Sequence, residues 1–327
     1  MRDGPGQGEC VVGLDVGGTG MKGALLDRGL RPLLGERRPT PRGEGPDAVV
    51  AEIASVLTSL ARKAGARGLA VRGAGVVVPG IVDESLARAR WSGNIGWRDL
   101  PLAELLASRT GLAVTLGHDV RAGGRAESEL GAARGAKDVL FVAVGTGVSA
   151  AVICDGRPVV AGGFAGELGH LVVEPGGLPC VCGAQGCLET VGTASAVASA
   201  YTARTGRTVE GAREVTALLA EGDPDARAVW ARATDALAAS LVMATTLLGP
   251  ELIVLGGGLA EAGDQLLDPV RARLDERFTF QRRPGVVRAG LGDAAGCLGA
   301  GLYAWRAADD RRPADASAPA GATVCAL

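Results

Sequence analysis

The chain has 327 residues, enough for two domains, and its 34 Lys and Arg nearly balance 36 Asp and Glu, leaving a net charge of −2. That balance gives no electrostatic basis for binding nucleic acid or an anionic membrane surface. The start, MRDGPGQGEC, lacks the apolar run of a secretion signal, and no segment approaches the ~18 continuous apolar residues of a membrane span. We therefore expect a cytoplasmic protein with neither nucleic acid nor membrane as a partner.

The first predicted element is a β-hairpin, and a second copy of it follows later in the chain. Two apolar runs flank a Gly/Thr turn in residues 11–29 (VVGLDVGGTGMKGALLDRG), and the same plan recurs in residues 139–157 (VLFVAVGTGVSAAVICDGR). Two hairpins with polar, glycine-rich tips in corresponding positions indicate a duplicated architecture, with one hairpin opening each half. The second copy has no equivalent of Asp15, so the two halves differ chemically.

The glycine-rich tips have the composition of phosphate-binding turns. In LDVGGTG, residues 14–20, Asp15 ends a strand beside a turn with little side-chain bulk, so backbone N–H groups can approach a phosphate closely. Thr19 adds a hydroxyl, and Asp15 could hold a magnesium ion or its water. No Gly-Lys-Ser/Thr follows, which excludes a Walker A loop. One such tip could equally be an ordinary turn, but VGTG at 144–147 and GGGL at 256–259 favour a nucleotide cleft between two domains.

Strands and helices alternate through the rest of the chain, which favours α/β layers. Apolar residues at helical spacing predict a helix over Pro46 to Gly65, and GVVVPGIVD, residues 75–83, predicts a buried strand that enters a Pro-Gly loop. The longest helix is predicted over 223–248, where a Gly-Pro pair ends it, and ELIVLGGGLA then predicts a strand that opens onto three glycines. We expect a last helix over 292–305 and a disordered tail from Ala307.

Residues 117–127, GHDVRAGGRAE, follow the short apolar stretch LAVTL, so His118 and Asp119 are expected where a strand meets a helix. From these residues alone, Asp119 is best explained as the N-cap of that helix. Asn94, in WSGNIGW, is explained in a similar way by a turn beside Gly93.

Three of the seven cysteines, Cys180, Cys182 and Cys187, fall within eight residues of a glycine-rich segment. They could hold a metal, form a disulfide or carry redox chemistry, and the reduced state of cytoplasmic thiols weakens the disulfide alternative. A structural zinc site usually takes four ligands, and His170, one of two histidines, lies ten residues before Cys180. A lone histidine is more often a packed or surface residue, so these residues alone leave the fourth ligand open.

Taken together, these motifs resemble those of a known family. DVGGT, GTG and GGG are similar to the phosphate-1, phosphate-2 and adenosine motifs of the actin/hexokinase/heat-shock-70 ATPase superfamily. GELGH followed by CVCGAQGCLE resembles the signature of the ROK family (repressors, open reading frames and sugar kinases), and every fixed position of its pattern C-x-C-G-x-x-G-C-x-E is matched. The resemblance covers roughly residues 11–305.

The resemblance implies a two-domain, actin-like α/β fold of the ribonuclease H-like type, with an interdomain cleft for nucleotide and sugar and a zinc-binding loop. Residues 1–117 would form a small N-terminal domain, completed by the C-terminal helix near 296–306. Residues 118–295 would form a larger domain with the sugar site and the zinc loop, followed by the tail over 307–327. Closure of the cleft around the sugar would exclude water.

The resemblance also implies the site, with ATP, Mg²⁺ and a structural Zn²⁺ as cofactors. Asp119 would be the catalytic base, and zinc would be held by His170, Cys180, Cys182 and Cys187. The expected sugar ligands are Asn94, His118, Asp119, Glu167, His170 and Glu189. The expected nucleotide site consists of Asp15, Gly17, Gly18, Thr19, Lys22, Gly145, Thr146, Gly147, Gly256, Gly257 and Gly258. The family more often has Asn-Asp where this chain has His118-Asp119, and this departure bears on the sugar preference.

The resemblance implies that the protein is an ATP-dependent sugar kinase. The leading expectation is the conversion of glucose to glucose 6-phosphate. The alternatives are a kinase for an N-acylhexosamine (N-acetylmannosamine or N-acetylglucosamine) and a catalytically silent sugar sensor. Repressors of the family carry a helix-turn-helix segment ahead of the first hairpin, which here begins at Val11, so we do not expect a repressor. Members of the family are commonly oligomeric, and we expect a homodimer or homotetramer.

Overall fold

The computed structural model describes residues 8–311 and shows a mixed α/β fold with several sheets. Its strands are β1 (Glu9–Val16), β2 (Gly20–Leu26), β3 (Pro32–Pro39), β4 (Ala70–Val78), β5 (Ile81–Asp83), β6 (Arg88–Trp91), β7 (Arg98–Leu100), β8 (Val114–His118), β9 (Val139–Val144), β10 (Val148–Cys154), β11 (Arg157–Pro158), β12 (Leu252–Gly256) and β13 (Gly285–Arg288). Its α-helices are α1 (Pro46–Gly65), α2 (Leu102–Thr110), α3 (Asp119–Leu130), α4 (Glu189–Gly192), α5 (Ala194–Thr205), α6 (Ala212–Ala220), α7 (Pro224–Leu248), α8 (Asp264–Arg277) and α9 (Ala295–Asp310).

Two five-stranded sheets share one topology. The first sheet has the order β3-β2-β1-β4-β8, and the second sheet has the order β11-β10-β9-β12-β13. In each sheet the first three strands in chain order pair antiparallel, and the last two join in parallel. The predicted duplication, with one hairpin opening each copy, is confirmed.

The helices predicted from apolar spacing lie where we expected them. Helix α1 occupies 46–65 and buries its apolar face, including Ile53 and Leu57, in the core beside the first sheet. Helix α7 begins after Asp223, whose side chain accepts hydrogen bonds from the N–H groups of Asp225 and Ala226 at 2.8 Å each. This N-cap, together with the left-handed Gly249 at the other end, accounts for both boundaries.

The last helix is longer than predicted. Residues 292–294 form a 3₁₀ turn, and α9 then continues to Asp310, so the tail does not begin at Ala307. The reason is packing: Trp305 and Ala308 are buried with Leu26 and Leu30, and the Trp305 indole N–H donates to the Asp27 carbonyl at 2.9 Å. The free energy gained by burying these side chains outweighs the tendency of a polar segment to be disordered. The rest of the predicted tail, residues 312–327, lies outside the described residues.

Helix α9 approaches the first sheet and α3 almost backbone to backbone. A Cβ atom built on Gly75 of β4 would lie 1.8 Å from the Ala300 carbonyl oxygen. One built on Gly299 would lie 2.2 Å from the Ala122 carbonyl oxygen on α3. Both distances are far inside van der Waals contact, so these positions exclude any side chain. The C-terminal helix therefore packs on the first sheet, in line with the prediction that it returns there.

A small sheet of β5, β6 and β7 is present that the sequence did not predict. Its strands have three or four residues, which is too short for alternation to be read. Within residues 8–311, no helix has the combination of length and apolar character that a bilayer crossing requires.

Candidate active site

A cleft of about 440 Å³ is lined by segments associated with both five-stranded sheets. Its polar and glycine lining includes Asp15, Gly17, Lys22, Asp119, Gly256, Gly257, Gly258, Asp293 and Gly296. A larger groove of about 570 Å³ lies between the cysteine segment, α5 and α7, but its lining contains no carboxylate. Because buried ionisable groups in a cleft mark a functional site, the smaller cleft is the candidate.

Asp15 lies near the end of β1, opposite Lys22 of β2. Burial, together with the charges of Asp119 and Asp293, raises the pKa of Asp15 to about 7, against the opposing charge of Lys22. Helix α9 covers the carboxylate closely, since a Cβ atom on Gly296 would lie 2.6 Å from Asp15 Oδ2. A hard divalent cation suits such a group, because it binds carboxylate oxygen and offsets the cost of burying the charge. The surroundings of Asp15 therefore fit its predicted role, which is to hold a magnesium ion or its water.

Asp119 is the first residue of α3, directly after β8, as predicted. Burial raises the pKa of Asp119 to about 6, although the N–H of Val120 and the charge of Arg121 oppose the shift. The N-cap of α3 is His118, whose ring accepts the N–H of Arg121, so the alternative explanation of Asp119 as the N-cap is wrong. Asp119 and Asp15 are near enough for the charge of Asp119 to raise the pKa of Asp15.

The first glycine tip is held by Thr40, a residue that the sequence reasoning missed. The Thr40 hydroxyl donates to the Gly17 carbonyl at 2.7 Å, and the Thr40 N–H donates to the Thr19 carbonyl at 3.1 Å. Lys22 donates to Asp293, which also accepts from Arg37 at 2.7 Å. These two cations lie beside the first tip, where they would favour an anionic ligand.

The second tip and the GGG segment are neighbours. A Cβ atom on Gly145 would lie 3.8 Å from the Gly258 nitrogen, and Gly257 has φ +81° with its Cβ position 2.5 Å from the Val144 carbonyl oxygen. A side chain at Gly257 would therefore clash and strain the backbone. The cleft lining includes Gly256, Gly257 and Gly258 but not Gly145, Thr146 or Gly147.

The predicted sugar ligands from the second half of the chain converge near Asp119. Burial raises the pKa of Glu167. The charges of His170 and Arg121 lower this pKa and those of Glu189 and Asp119 raise it, so these groups share one electrostatic environment. The Glu189 Oε1 atom accepts the Val148 N–H at 2.7 Å, which joins the cysteine segment to the second hairpin.

The other two predicted sugar ligands, Asn94 and His118, have different surroundings. Asn94 lies in the exposed turn between β6 and β7, and its side chain makes no hydrogen bond with residues 8–311. His118 is buried, and its ring nitrogens lie next to the Arg121 N–H and the Asp119 carboxylate, at 3.3 Å each. The role of His118 toward the sugar stays a prediction.

Arg121 is a second residue that the sequence reasoning missed. Its guanidinium is fully buried and bonds the Glu84 carboxylate at 2.9 Å, the Val82 carbonyl at 2.9 Å and the Gly163 carbonyl at 3.3 Å. It therefore ties α3 to β5 and to the segment that precedes Glu167. An arginine in the first turn of a predicted helix gives no signal of such burial, because charged residues are mostly exposed.

The cysteine cluster is compact. The candidate ligand atoms of His170, Cys180, Cys182 and Cys187 all lie within 4.8 Å of one another. Cys182 Sγ and Cys187 Sγ are 3.6 Å apart, and Cys180 Sγ is 3.6 Å from His170 Nδ1. Sulfurs about 2.3 Å from a tetrahedral zinc stand about 3.8 Å apart, whereas a disulfide needs about 2.05 Å. The donor set and spacing therefore fit a metal ion.

A duplicated five-stranded sheet, with a glycine-tipped hairpin opening each copy and two half-buried carboxylates in one cleft, places this chain among the actin-like α/β proteins. Within that class, the chain belongs to the ROK family, whose family model matches residues 11–307.

Three proteins, two sequence relatives and one solved structure, are similar to this chain over most of its length. The chain is 33% identical over 316 residues to a glucokinase of Halalkalibacterium halodurans, covering 89% of this chain and 93% of the relative. It is 30% identical over 303 residues to an N-acetylmannosamine kinase of Salmonella newport, covering 90% and 98%. A ROK family glucokinase from Streptomyces griseus, solved in complex with glucose and AMPPNP, has a TM-score of 0.77 at 28% identity, covering 91% of this chain and 99% of that one.

Proposed function

We propose that this chain is an ATP-dependent sugar kinase of the glucokinase type, which transfers the γ-phosphoryl group of ATP to the 6-hydroxyl of glucose. The observation that carries the proposal is the position of Asp119. This half-buried carboxylate borders the glycine-lined cleft with Asp15 and shares its electrostatic environment with Glu167. Membership of the ROK family and the likeness to two glucokinases support the same activity.

In this proposal the protein groups act by positioning and by charge. The sugar hydroxyl oxygen bonds to the γ-phosphorus while its proton passes to the Asp119 carboxylate, and the bond between the γ-phosphorus and the bridging oxygen breaks to release ADP. Lys22, Arg37 and the N–H groups of the glycine tips would hold the phosphates. Asp15 would hold Mg²⁺, which supplies neutralisation of phosphate charge when bound.

We propose zinc at His170, Cys180, Cys182 and Cys187 as a structural clamp. When bound, zinc would fix the segment that carries Glu189, a proposed sugar ligand, and would leave His170 Nε2 free for the sugar side. That nitrogen lies 3.9 Å from Glu167 Oε2, toward another proposed sugar ligand. We also propose the division of the chain into residues 1–117 and 118–295, with the cleft closing between them.

The test is coupled ADP release with magnesium-ATP across glucose, mannose, N-acetylglucosamine, N-acetylmannosamine, allose and fructose. We expect the highest kcat/KM with glucose. A preference for N-acetylmannosamine would instead assign the activity of the Salmonella newport relative. Absence of turnover on every sugar, with folded and zinc-loaded protein, would overturn the kinase and leave a sugar sensor.

Gly296→Ala is expected to lower kcat/KM for glucose by about 100-fold, because the added methyl group must displace the Asp15 carboxylate and an error near 1 Å can cost that much. The fold should tolerate the change, since alanine favours a helix interior over glycine by about 1 kcal/mol. Steady-state kinetics and thermal unfolding measure the two effects. The control is Gly65→Ala at the end of α1, where a Cβ atom meets nothing within 4 Å. Equal activity of the two variants would contradict the role of Asp15.

A further inference from the structure

Three charged side chains stand in a row across the first sheet, beside the first glycine tip. Asp15 of β1 is directly opposite Lys22 of β2, and Lys22 is directly opposite Arg37 of β3. Residues that oppose each other on neighbouring antiparallel strands project from the same face of a sheet, so the three side chains share one face. One carboxylate and two cations therefore lie next to the turn at which the phosphates are proposed to bind.

Asp293, from the 3₁₀ turn that precedes α9, uses both of its carboxylate oxygens on these two cations. Oδ1 accepts from the Lys22 ammonium, and Oδ2 accepts from the Arg37 guanidinium at 2.7 Å. Partial burial opposes the ionisation of Asp293, but the two cations hold the pKa of its carboxyl below the usual range. Among residues 8–311, Lys22 and Arg37 have no other side-chain hydrogen bond or ion pair.

The backbone that carries Asp293 is anchored on both sides. Glu127 of α3 is fully buried, and its carboxylate accepts the N–H of Gly290 at 3.0 Å and the N–H of Leu291 at 2.8 Å. Helix α9 begins two residues after Asp293 and packs closely on the first sheet. The Asp293 side chain, in contrast, is 59% exposed. A ligand that takes the place of its carboxylate would therefore turn the side chain and leave the segment where it is.

A carboxylate and a phosphoryl group bind cations in the same way, through two or more anionic oxygens. Asp293 therefore presents to Lys22 and Arg37 what the terminal phosphates of a nucleotide would present. Its charge also acts on Asp15 and raises the pKa of that carboxyl, so the empty cleft already holds interacting negative charges. Because ion pairs at exposed positions are weak, an anion of higher charge can replace the carboxylate.

We propose that Asp293 competes with the nucleotide for its own site: the carboxylate occupies Lys22 and Arg37 in the empty cleft, and the β- and γ-phosphates displace it when they bind. The inference rests on the proposed function, in which these cations hold the phosphates. An anion with a single negative oxygen cannot take both cations, whereas a phosphate chain can. The cleft therefore binds phosphate chains more weakly, but more selectively, than two unpaired cations would.

Asp293→Asn tests this role because competition predicts that anion binding becomes tighter when the carboxylate is lost. The substitution keeps the size of the side chain and removes the charge that pairs with the two cations. The probe is pyrophosphate, titrated by calorimetry into zinc-loaded protein in magnesium-free buffer. We expect its Kd to fall about tenfold, the size expected for the loss of two exposed ion pairs. The KM for magnesium-ATP should fall in the same direction.

Two further variants test the specificity of the effect. Asp309→Asn removes one negative charge from α9, where Asp309 pairs with Arg28 at 2.6 Å outside the cleft lining, and it should leave the pyrophosphate Kd unchanged. Arg37→Met removes one of the two cations that Asp293 occupies. In that background, Asp293→Asn should improve pyrophosphate binding by about threefold or less, because a double-mutant cycle isolates the coupling between the two residues.

The sign of the change decides the inference. Weaker pyrophosphate binding in Asp293→Asn would mean that the carboxylate orients the cations for the ligand. An unchanged Kd, or no binding to either chain, would reduce Asp293 to a tie between the start of α9 and the first sheet. Both results overturn the competition. If the natural chain phosphorylates no sugar, the kinase proposal fails, and the pyrophosphate titration still decides the role of Asp293.

Discussion

Asp119→Asn is expected to lower kcat for glucose by about 1,000-fold while changing the glucose KM little, because general base catalysis contributes 10²–10⁴-fold and asparagine cannot accept the proton. The substitution keeps the size of the side chain, so the cleft should still bind sugar. The carboxylate borders the cleft at the start of α3, where its side chain is half-buried. Coupled ADP release and glucose calorimetry on the same preparation separate turnover from binding.

The pH profile gives this prediction a second readout. The base must be ionised, and burial raises the pKa of Asp119 to about 6 and that of Asp15 to about 7. We therefore expect kcat/KM of the natural chain to fall as the pH drops through this range, with an apparent value that belongs to the interacting pair. The residual activity of Asp119→Asn should lack the Asp119 contribution, and the pKa of Asp15 should fall because a neighbouring negative charge is gone.

Asp310→Asn, at the exposed end of α9, is the control for the loss of one negative charge. It should retain full turnover. A decrease of less than tenfold in Asp119→Asn would remove the base from this position and, with it, the mechanism proposed above.

The sequence predicted the repeated parts of the fold because they depend on local patterns. Two hairpins were visible as paired apolar runs, and α1 was visible from its 3.6-residue spacing and its Pro and Gly ends. The end of α9 could not be predicted in the same way. The burial of Trp305 and Ala308 depends on Leu26 and Leu30, which are more than 270 positions away in the chain. Tertiary packing there overrides a composition that favours disorder.

In the candidate site, too, residues in a local motif were predicted, and residues that depend on tertiary contacts were not. Asp15, Asp119 and the cysteine cluster carried motif signals, and the structure brings the two carboxylates into one cleft. Arg121 carried no such signal, because its three partners come from two segments far from it in the chain and the residue is charged in an amphipathic helix. The ion pair of Lys22 with Asp293 spans 271 positions and is equally invisible in the sequence.

Cys187→Ser is expected to release the metal and to lower kcat/KM for glucose by at least about 100-fold, mainly through a higher glucose KM. Cys187 is fully buried and lies two residues before Glu189, and the Leu188 between them is also buried and bonded to the Leu171 carbonyl at 2.9 Å. Loss of a ligand at this point should therefore loosen the segment that places Glu189 against the Val148 N–H. Zinc content from elemental analysis, glucose KM and Tm measure the three consequences.

Cys154→Ser is the matched control, because Cys154 lies at the end of β10 outside the ligand cluster. It should keep one zinc per chain and its glucose KM. Chelation of zinc from the natural chain should reproduce the Cys187→Ser phenotype, and readdition of zinc should restore sugar binding only in the natural chain. If Cys187→Ser keeps its zinc and its glucose KM, the cluster does not clamp the sugar site. The position of Glu189 would then depend on its bond to Val148 and on the burial of Leu188 alone.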